Sequence, residues 1–139
     1  MRQHQDILTI PTRGQGLVEI TDAVAAIVEA ARIETGLATV YSRHTSASLL
    51  IQENADPDVA SDLLAFFRRL APDGDPLFVH TCEGPDDMPA HVKSALTATT
   101  LSIPITGGRL ALGTWQGIFV FEHRTAPHRR SIVVHVIGA

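Results

Sequence analysis

The chain has one cysteine, Cys82, so no internal disulfide can close and the fold must hold itself together without a covalent staple. That usage fits a reducing compartment and sets the expectation of a cytoplasmic protein. Charge of one sign is also scarce: 11 Lys and Arg stand against 15 Asp and Glu, a net charge of −4, and no positive field is available to hold nucleic acid non-specifically. No stretch approaches the roughly 20 apolar residues of a membrane span. The opening MRQHQDILTI places polar and charged residues where a secretory apolar region would lie. The expected protein is soluble and unprocessed, with neither nucleic acid nor membrane as a partner. Internal repeats, low-complexity tracts, a P-loop, a dinucleotide-binding glycine pattern, a GxSxG motif and a Cys-containing zinc motif are all missing.

What is present suffices for a single domain spanning residues 1–139, with apolar residues at 45%. Short β-branched segments, DILTI and GLVEI, flank a Gly-rich turn and predict an opening hairpin. Thr21 or Asp22 can cap a helix whose apolar positions Val24, Ile27, Val28 and Ala31 recur at helical spacing, with Gly36 as its stop. LATVYSR and ASLLIQE read as strands. Asp56 followed by Pro57 predicts a helix start, and Val59, Leu63, Phe66, Phe67 and Leu70 form its apolar stripe. After the irregular stretch PDGDPLFVHTCEGPDDMP, Pro89 opens a short helix. The last third is strand after strand, with Gly107 and Gly108 suited to a positive-φ turn. Short turns between neighbouring strands predict a mainly antiparallel sheet with two or three helices, an α+β domain.

Among seven histidines, His4, His128 and His135 have no obvious companions and read as surface or packing residues. His44, His80 and His91 sit at element boundaries beside small or acidic residues. Three neutral imidazoles with an open fourth position are what a catalytic zinc site uses, although their spacing matches no local ligand motif. The carboxylates Glu53, Asp56, Asp62, Glu83, Asp86 and Asp87 can orient those rings or act as acid and base, but Asp56 is already explained as a helix cap.

In LGTWQGIFVFEH, the residues Gln116, Ile118, Val120 and Glu122 share one strand face, so Glu122 is half-buried and needs a partner. Arg130 supplies it from the following strand, where Arg130, Ile132, Val134 and Val136 alternate in the same way. A structural ion pair and a role in holding substrate phosphate both remain open for Arg130.

The stretches HTSASLLIQENADPDVASD, EGPDDMPAHVKSAL, SIPITGGRLALGTWQGIFVFEHR and RRSIVV resemble those of the YjbQ family, also called UPF0047, a family of uncharacterised proteins. The resemblance covers essentially the whole chain in the right order. It implies an antiparallel β-sandwich-like α+β fold, a homotrimer, and a histidine cluster associated with a divalent metal, zinc first and magnesium as an option. Position by position, the family's metal-associated histidines fall on His44, His80 and His91. The resemblance also brings Asn54, Asp56, Trp115, Gln116, Glu122 and Arg130 into the family pattern and implies an interfacial cleft near them. Many relatives carry an acidic residue and a glycine where this chain continues as EHRTAPHRR, which leaves the partner of that hairpin open.

Family members are commonly labelled secondary thiamine-phosphate synthase. That label implies joining hydroxymethylpyrimidine diphosphate to thiazole phosphate, with Arg124, Arg130 and a divalent metal neutralising the departing diphosphate. Thr45 and Ser46, beside His44, and Asn54, Asp56, Trp115, Gln116 and Arg124 are then the expected substrate contacts. Two other classes compete. One is a metal-dependent hydrolase of a phosphorylated small molecule, with Glu122 or Asp87 moving the proton. The other is a non-catalytic trimeric binding protein with a structural metal.

Overall fold

The computed structural model describes residues 1–139. In chain order they form β1 (Arg2–Thr12), β2 (Gly16–Glu19), α1 (Thr21–Ala31), β3 (Thr35–Ser42), β4 (Ala47–Glu53), α2 (Pro57–Leu70), α3 (Asp87–Leu96), β5 (Thr100–Thr106), β6 (Arg109–Leu110), β7 (Gln116–Glu122) and β8 (His128–Gly138). Every strand pairing is antiparallel. One sheet runs β1-β8-β3-β5-β6 and the other β2-β7-β4. The α+β class expected from the sequence is therefore observed, with three helices.

The core follows from alternation. On β8, Arg130, Ile132, Val134 and Val136 all point inward and are buried, while the residues between them are only partly so. Ala38 and Val40 of β3 and Ile103 and Ile105 of β5 do the same in that sheet. Ala47 and Leu49 of β4 and Ile118 and Val120 of β7 face them from the other sheet, and Val24, Ile27 and Val28 of α1 complete one shared cluster. Two sheets each hydrophobic on one face have to bury those faces together, and that requirement sets the architecture.

Several local expectations are corrected. β1 and β2 do not form a hairpin: β1 pairs with β8 along its whole length, and β2 joins β7 in the other sheet. Gly14, at φ +128°, lets the chain change sheets. Only β5 and β6 pair as sequence neighbours, because β7 and β8 each sit between two strands distant in sequence. The predicted RLALG strand shrinks to Arg109–Leu110. Helix α1 begins after Ile20 without a side-chain cap, since the Thr21 hydroxyl donates to Glu19 and accepts from the Ile118 N–H. It stops at Arg32 in the left-handed region, and Gly36 lies within β3. The Asp56 cap is present, with its Oδ1 accepting from the Asp58 N–H at 2.9 Å. The stripe on α2 packs lightly: no residue of that helix is buried, and Phe66 and Leu70 are each 51% exposed.

Helix α3 starts at Asp87, two residues before the predicted start at Pro89. Proline is accommodated there because a first-turn N–H has no intrahelical acceptor to lose. That early start matters for the site, since it puts Asp87 and His91 one turn apart on the same helix.

Candidate functional site

Asp87 is the hub. Its Oδ2 lies 2.7 Å from His80 Nε2 and 3.1 Å from His91 Nε2. The ligand atoms of His80, Asp87 and His91 all fall within 4.8 Å of one another. Asp87 is buried, whereas the imidazoles are about one-third exposed, at 34% and 35%. The site thus has a fixed anionic floor and two rings open to solvent.

The floor is held by Arg124. Its Nη1 donates to Asp87 Oδ1 at 2.8 Å, its Nε to Asp86 Oδ2 at 2.9 Å, and its Nη2 to the Glu83 carbonyl at 2.9 Å. With Oδ1 so engaged, Oδ2 is left facing the two histidines. Asp86 also accepts from the Thr125 N–H at 2.9 Å, which ties the loop before α3 to the loop after β7. Burial pushes the Asp86 carboxyl up, but these backbone and guanidinium hydrogen bonds outweigh it and hold its pKa at about 2. Burial likewise opposes ionisation of Asp87, and the His80 hydrogen bond and Arg124 charge prevail, lowering its pKa. The same two carboxylates raise the pKa of Arg124, with the Asp86 hydrogen bond the largest cause.

His44 stands apart from this cluster. Its Nε2 accepts from the Ser131 N–H at 2.7 Å, which puts the proton of the neutral ring on Nδ1, 3.5 Å from Arg130 Nη1. Burial, followed by the Arg130 charge, lowers its pKa and favours that neutral form. The chain therefore brings together two imidazoles and a carboxylate in place of the expected three imidazoles.

Glu122 and Arg130 meet as the sequence predicts, but the pair is completely buried and joins the two sheets. Glu122 Oε1 accepts from Arg130 Nε at 2.7 Å and from the Thr12 hydroxyl at 2.6 Å, and Oε2 accepts from the Arg124 N–H at 3.1 Å and from Arg130 Nη2. Arg130 Nη2 also donates to Ser46 Oγ at 3.0 Å. A carboxylate with four donors and no exposed surface is a structural counter-ion. The proton-moving role expected for Glu122 and the phosphate-holding role expected for Arg130 are not favoured by this geometry, and the Ser46 hydroxyl, expected as a substrate contact, accepts from Arg130.

The remaining expected contacts are divided by the β4·β7 ladder. Ala47 pairs with Glu122 at one end and Glu53 with Gln116 at the other. At ~3.4 Å per residue, those ends are roughly 20 Å apart. Thr45, Ser46 and Arg124 belong to the histidine end. Asn54, Asp56, Trp115 and Gln116 belong to the opposite end, where Asn54 Nδ2 donates to Glu19, Asp56 caps α2, Gln116 accepts from the Gly113 N–H, and Trp115 is exposed.

Sequence reading missed His123. It is completely buried, lies with its ring centroid 4.3 Å from that of Phe121, and has Nε2 2.9 Å from Ser48 Oγ while Nδ1 has no partner. Burial, reinforced by the charge of the buried Lys93, lowers its pKa to about 3. The signal was available in the alternation Gly117, Phe119, Phe121 on the β7 face opposite Glu122, which His123 continues one residue past the strand.

The donor chemistry at Asp87 fits a divalent metal. Two imidazoles and one carboxylate suit zinc and similar borderline ions, whereas magnesium favours an all-oxygen shell. The orientation of Asp87 by Arg124 is the kind of outer support such ligands need.

Comparison with known proteins places the chain in context. The model of the family described as UPF0047 protein YjbQ-like matches residues 6–139. A UPF0047 protein of Synechocystis is 56% identical over 137 residues, covering 99% of this chain and 93% of the relative. UPF0047 protein YjbQ of Escherichia coli O157:H7 is 39% identical, covering 97% and 98%. Among solved structures, a conserved hypothetical protein of Thermus thermophilus superposes with a TM-score of 0.85 at 39% identity, covering 95% of this chain and 99% of that one.

Proposed function

The chain belongs to the YjbQ-like UPF0047 family, and on that premise we propose that it is a metal-dependent hydrolase of a small molecule, centred on His80, Asp87 and His91. The convergence of three ligand atoms within 4.8 Å, one of them on a buried carboxylate, carries this reading. His80 and His91 would supply imidazole nitrogens and Asp87 an oxygen, while Arg124 fixes the carboxylate plane. When bound there, a divalent ion would supply Lewis-acid activation of a hydrolytic water. The solvent-facing sides of both rings leave room for that water and a substrate.

The synthase label fits less well. Its chemistry calls for cations free to meet a departing diphosphate, and Arg124 and Arg130 are both engaged by carboxylates of the chain. A purely structural metal is disfavoured by the exposure of the two rings.

The proposal includes a homotrimer. The lightly packed stripe on α2, with Phe66 and Leu70 exposed, and the exposed Leu77 and Val79 beside His80 are apolar surface that a second copy would cover. No helix is long and apolar enough to cross a membrane. We retain a cytoplasmic setting as part of the proposal.

The functional test is hydrolysis of a panel of small esters and phosphate esters by protein loaded with zinc and by the same protein after chelation. Turnover that is lost on chelation and restored by zinc supports the hydrolase; turnover indifferent to metal contradicts it.

A further inference from the structure

His91 is also part of the wall of a cleft of about 590 Å³ between the end of β3 and helix α3. The cleft has no acidic side chain in its lining. Its lining includes Arg43 and the hydroxyl-bearing residues Tyr41, Thr45 and Thr99. Arg124 and Arg130 are tied to carboxylates, but the Arg43 side chain enters no ion pair and no hydrogen bond. The hydroxyls of Tyr41, Thr45 and Thr99 have no partner in the chain; Ser94 Oγ, also without one, is itself buried and is not counted among the groups open to a ligand. By contrast, the Ser42 hydroxyl, on the same lining, donates to the Ala47 carbonyl.

A concave surface with one free guanidinium, several uncommitted hydroxyls and no carboxylate has the chemistry of an oxyanion site. The Arg43 charge is felt in the cleft, since it is one of the causes, after burial and Arg130, that lower the pKa of His44 on its lining. We propose that this cleft binds the phosphate group of a phosphorylated small molecule, with Arg43 as its principal anchor, and presents the rest of that molecule to the centre through the shared residue His91. The assignment of a reacting centre rests on the hydrolase reading; the phosphate site rests on the cleft itself.

Inorganic phosphate titrated into the chelated full-length protein by isothermal calorimetry tests this. Saturable one-to-one binding is expected, weakened about tenfold or more by Arg43→Ala, the scale of one charge-assisted hydrogen bond, and partly restored by Arg43→Lys. Arg109→Ala, at an exposed arginine outside the cleft, should leave phosphate affinity unchanged. Arg43 is exposed and unpaired, so its replacement does not threaten the fold. No phosphate binding to the wild type, or equal binding by Arg43→Ala, overturns the proposal. If phosphate binds as expected but the wild type takes up no zinc, the metal reading fails and the cleft stands; zinc uptake without phosphate binding is the reverse.

Discussion

The Arg130 guanidinium on β8 donates through Nε to Glu122 Oε1 at 2.7 Å on β7, so one buried ion pair spans the two sheets of the fold. Each partner is needed mainly because the other is there. Arg130→Met strands a buried carboxylate and is expected to cost about 3–5 kcal/mol in urea denaturation, while adding Glu122→Leu recovers much of that loss. If the double variant is no more stable than the single one, the pair is not the source of the cost.

The same pair is expected to make the fold acid-sensitive. Burial raises the Glu122 pKa, but the hydrogen bonds from Arg130 and Thr12 bring it below its ordinary 4.5. A depressed carboxylate binds fewer protons folded than unfolded, so its contribution is complete above pH 4.5 and fades as pH falls through the folded value. Asp86 acts in the same direction between its ordinary 3.8 and about 2.

His123 adds an earlier step. Its pKa falls from 6.5 to about 3 on folding, so the unfolded chain takes up the proton first and stability declines as pH drops below 6.5. By pH 5 the loss should reach about 2 kcal/mol. Comparing denaturation at pH 7 and pH 5 for wild type and His123→Leu checks this: the variant should lack that component. An equal decline in both would assign the acid sensitivity elsewhere.

Arg124 is a positioning residue for the proposed metal. Arg124→Ala releases Asp87 Oδ1 and unties Asp86 from the loop after β7. Zinc affinity should fall about 10–100-fold, with the ligands themselves intact. Competition against a chromophoric chelator measures it, and unchanged affinity would mean that Asp87 needs no such support.

Phe66 tests the proposed trimer. Because it is half-exposed in the single chain, Phe66→Glu should leave the fold standing while converting a trimer to monomers in light scattering. A monomeric wild type would remove the trimer from the account.

Elements written in local periodicity were legible in the sequence: the α1 stripe, the Asp56 cap, the Gly107-Gly108 turn and the alternation that brings Glu122 to Arg130. Strand pairing was not, since β1 finds β8 across the whole chain and nothing local to DILTI names that partner. At the site, Asp87 and His91 are four residues apart on α3, a relationship concealed by starting the helix at Pro89. His80 reaches them from an irregular loop that carries no periodicity. His44 looked equivalent to the others because its use by the Ser131 N–H depends on how β8 lies beside it.

The most direct test of the central claim is the zinc content of untagged protein, by elemental mass spectrometry, for wild type, His80→Ala, Asp87→Ala, His91→Ala and His44→Ala. The account predicts near-stoichiometric zinc in the wild type and in His44→Ala, and its loss in the other three. A wild type that neither carries nor takes up zinc would contradict it, as would zinc lost with His44 and kept without His80.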